Sequence, residues 1–290
     1  MKDYIRIFGK KIKRSSIVYQ TISFISRYGS VIGPLLASSK FEITKIEIPI
    51  SGLPKKLQGL SLLHLSDIHA GEYIRKDFVE QVVLISNSLD PDIVFITGDF
   101  TEVDPSHIEW CAETLSQLSN HSGIYGVLGN HDIWNGDDFI TNTLQKHGIQ
   151  ILRNQNISQT IFDEKIYISG IDDYKFGETN LSKAFDGIPD DKLHIFLSHH
   201  PDVVEKLDNS SVDLMLAGHI HGGQWNLPLV GVLYIPSKFG EKHAWGLSKH
   251  QNTYIYTSRG IGSTSIPLRI NCPPEITLII LTAAEENYNT

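Results

Sequence analysis

The chain has 290 residues, of which 41% are hydrophobic and 20% charged, the proportions of an ordinary globular protein with ample material for a core. A net charge of -8 argues against a general nucleic-acid binder, which carries a basic field. Two cysteines, Cys111 and Cys272, are too few for a disulfide framework or a Cys-based zinc motif and read as free buried thiols.

The first 40 residues form an arm unlike the rest. Lys2, Arg6, Lys10, Lys11, Lys13 and Arg14 face only Asp3 within residues 1–14. The stretch from Ile17 to Ala37 is moderately apolar, but Arg27 interrupts it and Gln20, Ser23 and Ser26 dilute it. It fails as a spanning helix, and no small-residue cleavage site follows it. A basic arm leading into an amphipathic segment suits an interfacial anchor on anionic lipid; a surface helix or a disordered leader is the alternative.

One domain is expected from 41 to 283, with a tail at 284–290. Alternation over 41–48 predicts a half-exposed antiparallel strand. The apolar run at 60–65 predicts a buried strand, and Asp77 to Leu89 a helix with Phe78, Val82 and Ile85 on one face. A strand at 93–97, a helix from Pro105 to Ser119 and a strand at 124–128 follow. Next come a helix over 138–147 closed by Gly148 and short strands near 149–152, 157–162 and 165–170. A strand at 193–198, a helix at 201–207 and a strand at 212–217 lead into β structure at 230–235, 253–257 and 276–281. The strand–helix alternation implies right-handed crossovers, and the hairpin-rich second half implies a second sheet, giving two packed sheets flanked by helices.

Five polar clusters close five of the apolar runs. They are Ser66-Asp67-Ile68-His69, Gly98-Asp99, Gly129-Asn130-His131-Asp132, His199-His200 and Gly218-His219-Ile220-His221-Gly222-Gly223. Strand ends form the ligand crevice of α/β folds, and this set of oxygen and nitrogen donors asks for a divalent metal. Asp67 and His69, two apart, would point to the same side of an extended backbone and grip one ion; His219 and His221 repeat the spacing. The Asp99 carboxylate can bridge two cations. No sulfur ligand is present, so soft metals are disfavoured and Mn²⁺, Fe²⁺ or Zn²⁺ fits, Mn²⁺ being the first expectation.

These motifs resemble those of the calcineurin-like metallophosphoesterases: Asp-x-His, Gly-Asp, Gly-Asn-His-Asp/Glu, His and Gly-His-x-His, all present and in order over residues 60–225. Ser198-His199-His200-Pro201-Asp202, His219-Ile220-His221-Gly222-Gly223-Gln224 and Ser258-Arg259-Gly260-Ile261-Gly262 resemble a bacterial subgroup, the YkuE-like and YaeI-like phosphoesterases. The resemblance implies an α/β fold, a four-layer αββα sandwich of two mixed sheets, with two divalent metal ions. The first ion would take Asp67, His69, Asp99 and His221, and the second Asp99, Asn130, His199 and His219. A hydroxide bridging them would attack phosphorus in line. His131 would protonate the leaving oxygen or stabilise its charge, with Asp132 holding the imidazole. Purple acid phosphatases carry a tyrosine ligand three residues after the bridging aspartate; Glu102 stands there, so no iron–tyrosinate site is expected.

Other residues carry weaker expectations. His199 is favoured over His200 as the ligand because it directly follows the strand. His64, inside an apolar run, reads as a core histidine, and His107, His121, His147, His194, His243 and His250 show no partner pattern. Arg259 is a candidate contact to substrate phosphate, with a salt-bridging turn residue as the equal alternative. The apolar stretch from Trp225 to Ile235 reads first as a core hairpin, and otherwise as a greasy wall beside the metals that takes an acyl chain or faces lipid. The expectation is a metal-dependent phosphoric ester hydrolase in the cytoplasm, peripheral on the inner face of the cell membrane. A phosphoester or pyrophosphate is its substrate, with lipid-linked UDP-2,3-diacylglucosamine as one named case, since relatives of the subgroup hydrolyse it. A soluble phosphomonoester or phosphodiester, and a non-catalytic scaffold of the same fold, are the alternatives. No nucleic-acid partner is expected.

Overall fold

The computed structural model describes residues 4–7, 10–13, 41–207, 211–264 and 267–284. Within the basic arm, β1 (Tyr4–Ile7) and β2 (Lys10–Lys13) pair antiparallel. The apolar stretch at 17–37, on which the interfacial-anchor expectation rests, lies outside the described residues. Among the described residues no helix is long and apolar enough to cross a membrane.

Two six-stranded sheets carry the fold. The first contains β3 (Glu42–Ile50), β4 (Ser61–Leu65), β5 (Ile93–Thr97), β6 (Ile124–Val127) and β7 (Ile149–Ile151). Helices α1 (Lys76–Asn87), α2 (Ile108–Leu115) and α3 (Asn130–Lys146) connect its parallel strands. The chain then enters the second sheet through β8 (Gln155–Ile161) and β9 (Glu164–Gly170). A short α4 (Leu181–Phe185), β10 (His194–Leu197) and β11 (Leu214–Ala217) follow. A two-stranded finger, β12 (Asn226–Leu227) with β13 (Gly231–Val232), projects before β14 (Gly246–His250) and β15 (Thr253–Thr257) complete that sheet. Last, β16 (Glu275–Ala283) returns to the first sheet between β3 and β4.

Three apolar layers hold this stack together. Leu62, Phe95, Tyr125, Ile168, Ile195, Leu216 and Tyr256 fill the space between the sheets. Val79, Val82, Cys111, Leu115, Ile140 and Leu144 pack the three helices on the outer face of the first sheet. Phe196, Met215, Val203 and Ala184 do the same for the second. The result is an αββα sandwich of two mixed sheets. Pairings Leu65–Ile96, Thr97–Val127, Leu197–Leu216 and Ala217–Thr257 keep the strands in step. The carboxyl ends of β4, β5, β6, β10 and β11 lead directly into the five polar clusters.

The structure corrects several local expectations. Strand β3 runs parallel to its one neighbour, β16, along its whole length; alternation reports that one face is solvated, not the direction of pairing. Helix α3 begins at Asn130, well before 138, because Gly136 (φ 109°, ψ 84°) kinks it and splits the apolar periodicity. Residues 201–206 form a 3₁₀ helix. The stretch 230–235 is no core strand: only Gly231–Val232 pairs, and Val230, Leu233 and Tyr234 are exposed.

Candidate metal centre

The functional side chains stand on the turns that end buried strands, except Asn130 and His131, which open α3. The backbone there is not extended, as the two-residue spacing had implied. Asp67 (φ 52°), His69 (φ 51°), Asp99 (φ 55°), His219 (φ 70°) and His221 (φ 55°) all occupy the left-handed region. Each such non-glycine conformation costs on the order of 1 kcal/mol or more and persists where surrounding structure enforces it, often at functional sites. The turns also crowd one another. A Cβ on Gly218 would collide with the Ser66 hydroxyl and the Asp67 carboxylate, and one on Gly129 would collide with Asp99.

The turns gather the candidate ligands into two groups that draw on both sheets. In one, Nε2 of His69 and Nε2 of His221 are 3.0 Å apart, and Asp67 Oδ1 lies 3.2 Å from His221 Nε2. In the other, His199 Nε2 is 3.2 Å from His219 Nδ1. Asp99 Oδ2 stands between them, 3.5 Å from His69 Nε2 and 3.2 Å from His199 Nε2. His219 and His221 therefore belong to different groups, and do not grip one ion together. Ligand atoms at about 2.0–2.2 Å from one ion are separated by about 3.0–3.6 Å in tetrahedral or octahedral geometry, so these spacings fit cations in both groups. The side-chain oxygen of Asn130 is buried without a hydrogen-bond partner and borders the same cavity as Asp99 and His219, as an additional oxygen donor would.

The far sides of the rings fix which nitrogen faces inward. His199 Nδ1 is 2.7 Å from the Thr97 carbonyl oxygen. That acceptor keeps the proton on Nδ1 and leaves Nε2 as donor to a metal. His69 Nδ1 is 2.5 Å from the Glu102 carboxylate, with the same consequence. The Glu102 carbonyl oxygen is 2.6 Å from His131 Nδ1, so one residue orients two imidazoles. Burial alone would lower the His69 and His199 pKa values, but Glu102 raises His69 to about 9 and Asp99 raises His199 to about 10. Burial would raise the Asp67 and Asp99 carboxyls; the His221 ring beside Asp67 and the His199 ring beside Asp99 hold both below the usual carboxylate range.

Two candidate residues are held by other partners. The Asp132 carboxylate does not orient His131. It accepts hydrogen bonds from the backbone N–H groups of Gly129 (3.0 Å), Phe100 (2.9 Å) and Thr101 (3.3 Å), tying the turn after β5 to the start of α3. Burial, with the charge of Asp99 behind it, pushes this carboxyl up to about 7. Arg259 is held by carboxylates, with its guanidinium 2.9 Å from Glu42 and 3.0 Å from Glu275, the salt-bridged alternative. His200 belongs to neither group: its Nε2 is 3.1 Å from Asp173, and its ring packs against that of His219. His64 is buried with Nε2 2.9 Å from the Thr97 hydroxyl, and both cysteines are buried free thiols.

Arg269 is a site residue that sequence reading missed. It is fully buried, and its guanidinium is bound by the carbonyl oxygens of Arg259, Gly260, Gly262 and Cys272. Nη2 comes within 3.2 Å of His221 Nδ1, which sets a fixed cation behind that ring.

The model of the calcineurin-like phosphoesterases matches residues 60–223, the span that supplies every residue of both groups. The chain belongs to the calcineurin-like phosphoesterase family. Within that family it is similar to a transmembrane protein with metallophosphoesterase domain of Danio rerio, 32% identical over 271 residues, covering 88% of this chain and 60% of that protein. It is also similar to the uncharacterized metallophosphoesterase YkuE of Bacillus subtilis, at 30% identity over 83% of this chain and 85% of that one. Phosphodiesterase YaeI of Escherichia coli is 30% identical over 76% of this chain and 81% of its own. The chain spans 60% of the length of the vertebrate relatives it matches.

A cavity of about 180 Å³ opens over the two groups of this phosphoesterase domain. Asp99, Asn130 and His131 border one side, and Trp225, Tyr234 and Pro236 the other. It therefore offers candidate ion ligands and the His131 imidazole against an apolar wall.

Proposed function

We propose that this chain hydrolyses a phosphoester or pyrophosphate bond at a pair of divalent cations, with Mn²⁺, Fe²⁺ and Zn²⁺ all compatible with its oxygen and nitrogen donors. Asp67, His69, Asp99 and His221 would hold one ion, and Asp99, Asn130, His199 and His219 the other. Such a pair supplies Lewis acidity toward the phosphoryl oxygens and makes hydroxide accessible near neutral pH. The observation that carries this reading is the position of Asp99 Oδ2, within 3.5 Å of a ligand nitrogen in each group.

His131 is the general acid of this reading. Its Nδ1 is engaged by the Glu102 carbonyl, so Nε2 is the nitrogen that delivers a proton to the leaving oxygen or stabilises the charge there. The ring borders the cavity, where a substrate can reach it. The wall of Trp225, Tyr234 and Pro236 favours an amphiphilic phosphoester, such as the lipid-linked pyrophosphate of UDP-2,3-diacylglucosamine, over a wholly polar one. The basic arm supplies attraction to the anionic inner face of a cell membrane.

Full-length protein supplied with Mn²⁺ should be screened against a nucleotide-linked lipid, phospholipids and simple aryl phosphoesters. Release of a lipid phosphate supports the amphiphile reading, and turnover restricted to soluble esters overturns it. His131→Ala should lower kcat by about 10²–10⁴-fold while the Mn²⁺ content stays the same. An unchanged kcat removes His131 as the acid.

A further inference from the structure

The finger that leaves the cavity wall is built in an unusual way for a surface loop. From Gln224 through Ser237 it has no acidic or basic side chain. Its tip residue, Leu229, has φ 68° and is fully exposed. Glycine or asparagine takes that backbone conformation with little strain, whereas leucine does not. The chain thus carries both a backbone cost and an unburied aliphatic side chain at one position. Val230, Leu233 and Tyr234 are exposed beside it.

The apolar surface continues around the cavity mouth. The Trp134 ring lies tilted against His131 at 5.0 Å and edge-on to Phe176 at 4.9 Å, and both Trp134 and Phe176 are exposed. Lys175, next to Phe176, reaches the Pro236 carbonyl oxygen at the base of the finger at 3.5 Å, and Lys238 follows the finger in the chain; both lysines are exposed. Aliphatic groups at a tip, aromatic rings at a mouth and exposed lysines at the base of the finger suit the acyl, interfacial and anionic headgroup layers of a bilayer surface.

We infer that the 225–235 finger inserts Leu229 into an anionic lipid bilayer and seats the cavity mouth on it, so that a phosphoester in the headgroup layer meets the metal centre without leaving the membrane. The part of this concerning substrate rests on the phosphoesterase reading, while the docking itself does not. A second copy of the chain is the competing occupant of the same surface, and the basic arm is the competing route to the bilayer.

The test uses full-length wild type and Leu229→Asn, a substitution that suits the left-handed tip and so leaves folding intact. Both are sedimented with vesicles of equal parts phosphatidylcholine and phosphatidylglycerol, and with phosphatidylcholine alone. The wild type should partition onto the mixed vesicles, and the variant about tenfold or more weakly, the loss expected for one buried leucine. Equal partitioning of the two proteins assigns binding to the arm and overturns the proposal, as does the absence of wild-type binding. Concentration-dependent dimerisation abolished by Leu229→Asn, with vesicle binding unaffected, gives the finger to a second copy and also overturns it. Hydrolysis of bis(4-nitrophenyl) phosphate with Mn²⁺ is measured alongside and should be the same in both proteins. If the wild type fails to turn over any phosphoester, the phosphoesterase reading falls while the vesicle result stands.

Discussion

At the scale of single residues, Glu102 serves two site imidazoles, because its carboxylate holds His69 and its carbonyl holds His131. Glu102→Gln keeps the backbone contact to His131 and replaces the charged partner of His69. Mn²⁺ affinity should fall about 10–100-fold, the usual effect of losing such a supporting carboxylate, and Mn²⁺ titration of hydrolysis measures it. An unaltered titration curve would show that His69 needs no carboxylate behind it. The sequence made the seven ligand candidates legible because each stands at the end of an apolar run, where few polar residues have reason to recur. Glu102 was visible only as the residue in place of a tyrosine, since its contacts reach other strand turns, one of them 29 residues away in the chain. Arg269 gave no signal at all. It sits in an ordinary Pro-Leu-Arg-Ile stretch, and only the closing of four backbone carbonyls around its guanidinium makes it part of the site.

At the scale of elements, Asp132 is a clamp between the turn after β5 and the first turn of α3. Asp132→Ala leaves up to three buried N–H groups unpaired. At about 1–3 kcal/mol for each unsatisfied group, reduced by water entry, the fold should lose about 3–5 kcal/mol. Urea denaturation of metal-free protein measures this; a loss within about 0.5 kcal/mol, as for a plain surface substitution, would mean the clamp carries no stability. The sequence motif placed Asp132 beside His131 and so implied a partnership, but the first turn of a helix points neighbouring side chains in different directions. Element boundaries failed where the pattern was ambiguous for a physical reason. Gly136 breaks the period of α3, and the finger at 225–235 is apolar in composition yet projects outward, which hydrophobicity alone cannot distinguish from a core strand. The parallel strands themselves were legible because both of their faces are buried, which leaves unbroken apolar runs.

At the scale of the whole molecule, stability should depend on two buried histidines that do not line the cavity. Burial lowers His64 and His194 from an ordinary value of 6.5 to about 4 in each case. The neutral ring is favoured in the fold, so the contribution is intact above pH 6.5 and is lost as pH falls toward 4. The unfolded chain binds more protons in that window, and unfolding free energy therefore declines on acidification, by up to ~3 kcal/mol per histidine. His194 Nε2 lies 2.7 Å from the Ser169 hydroxyl, a contact that glutamine can replace. His194→Gln should flatten the decline between pH 6.5 and 4 in urea midpoints relative to wild type; parallel curves would show that the ring does not titrate on unfolding. The sandwich has one further consequence for how the protein matures. His69 and His221 are 152 positions apart and come from different sheets, and so do Asp99 and His199. With the proposed ligands, neither half of the chain would hold a full coordination shell alone, so cation uptake would wait on sheet-on-sheet docking, and ion capture would become a checkpoint that only the finished protein passes.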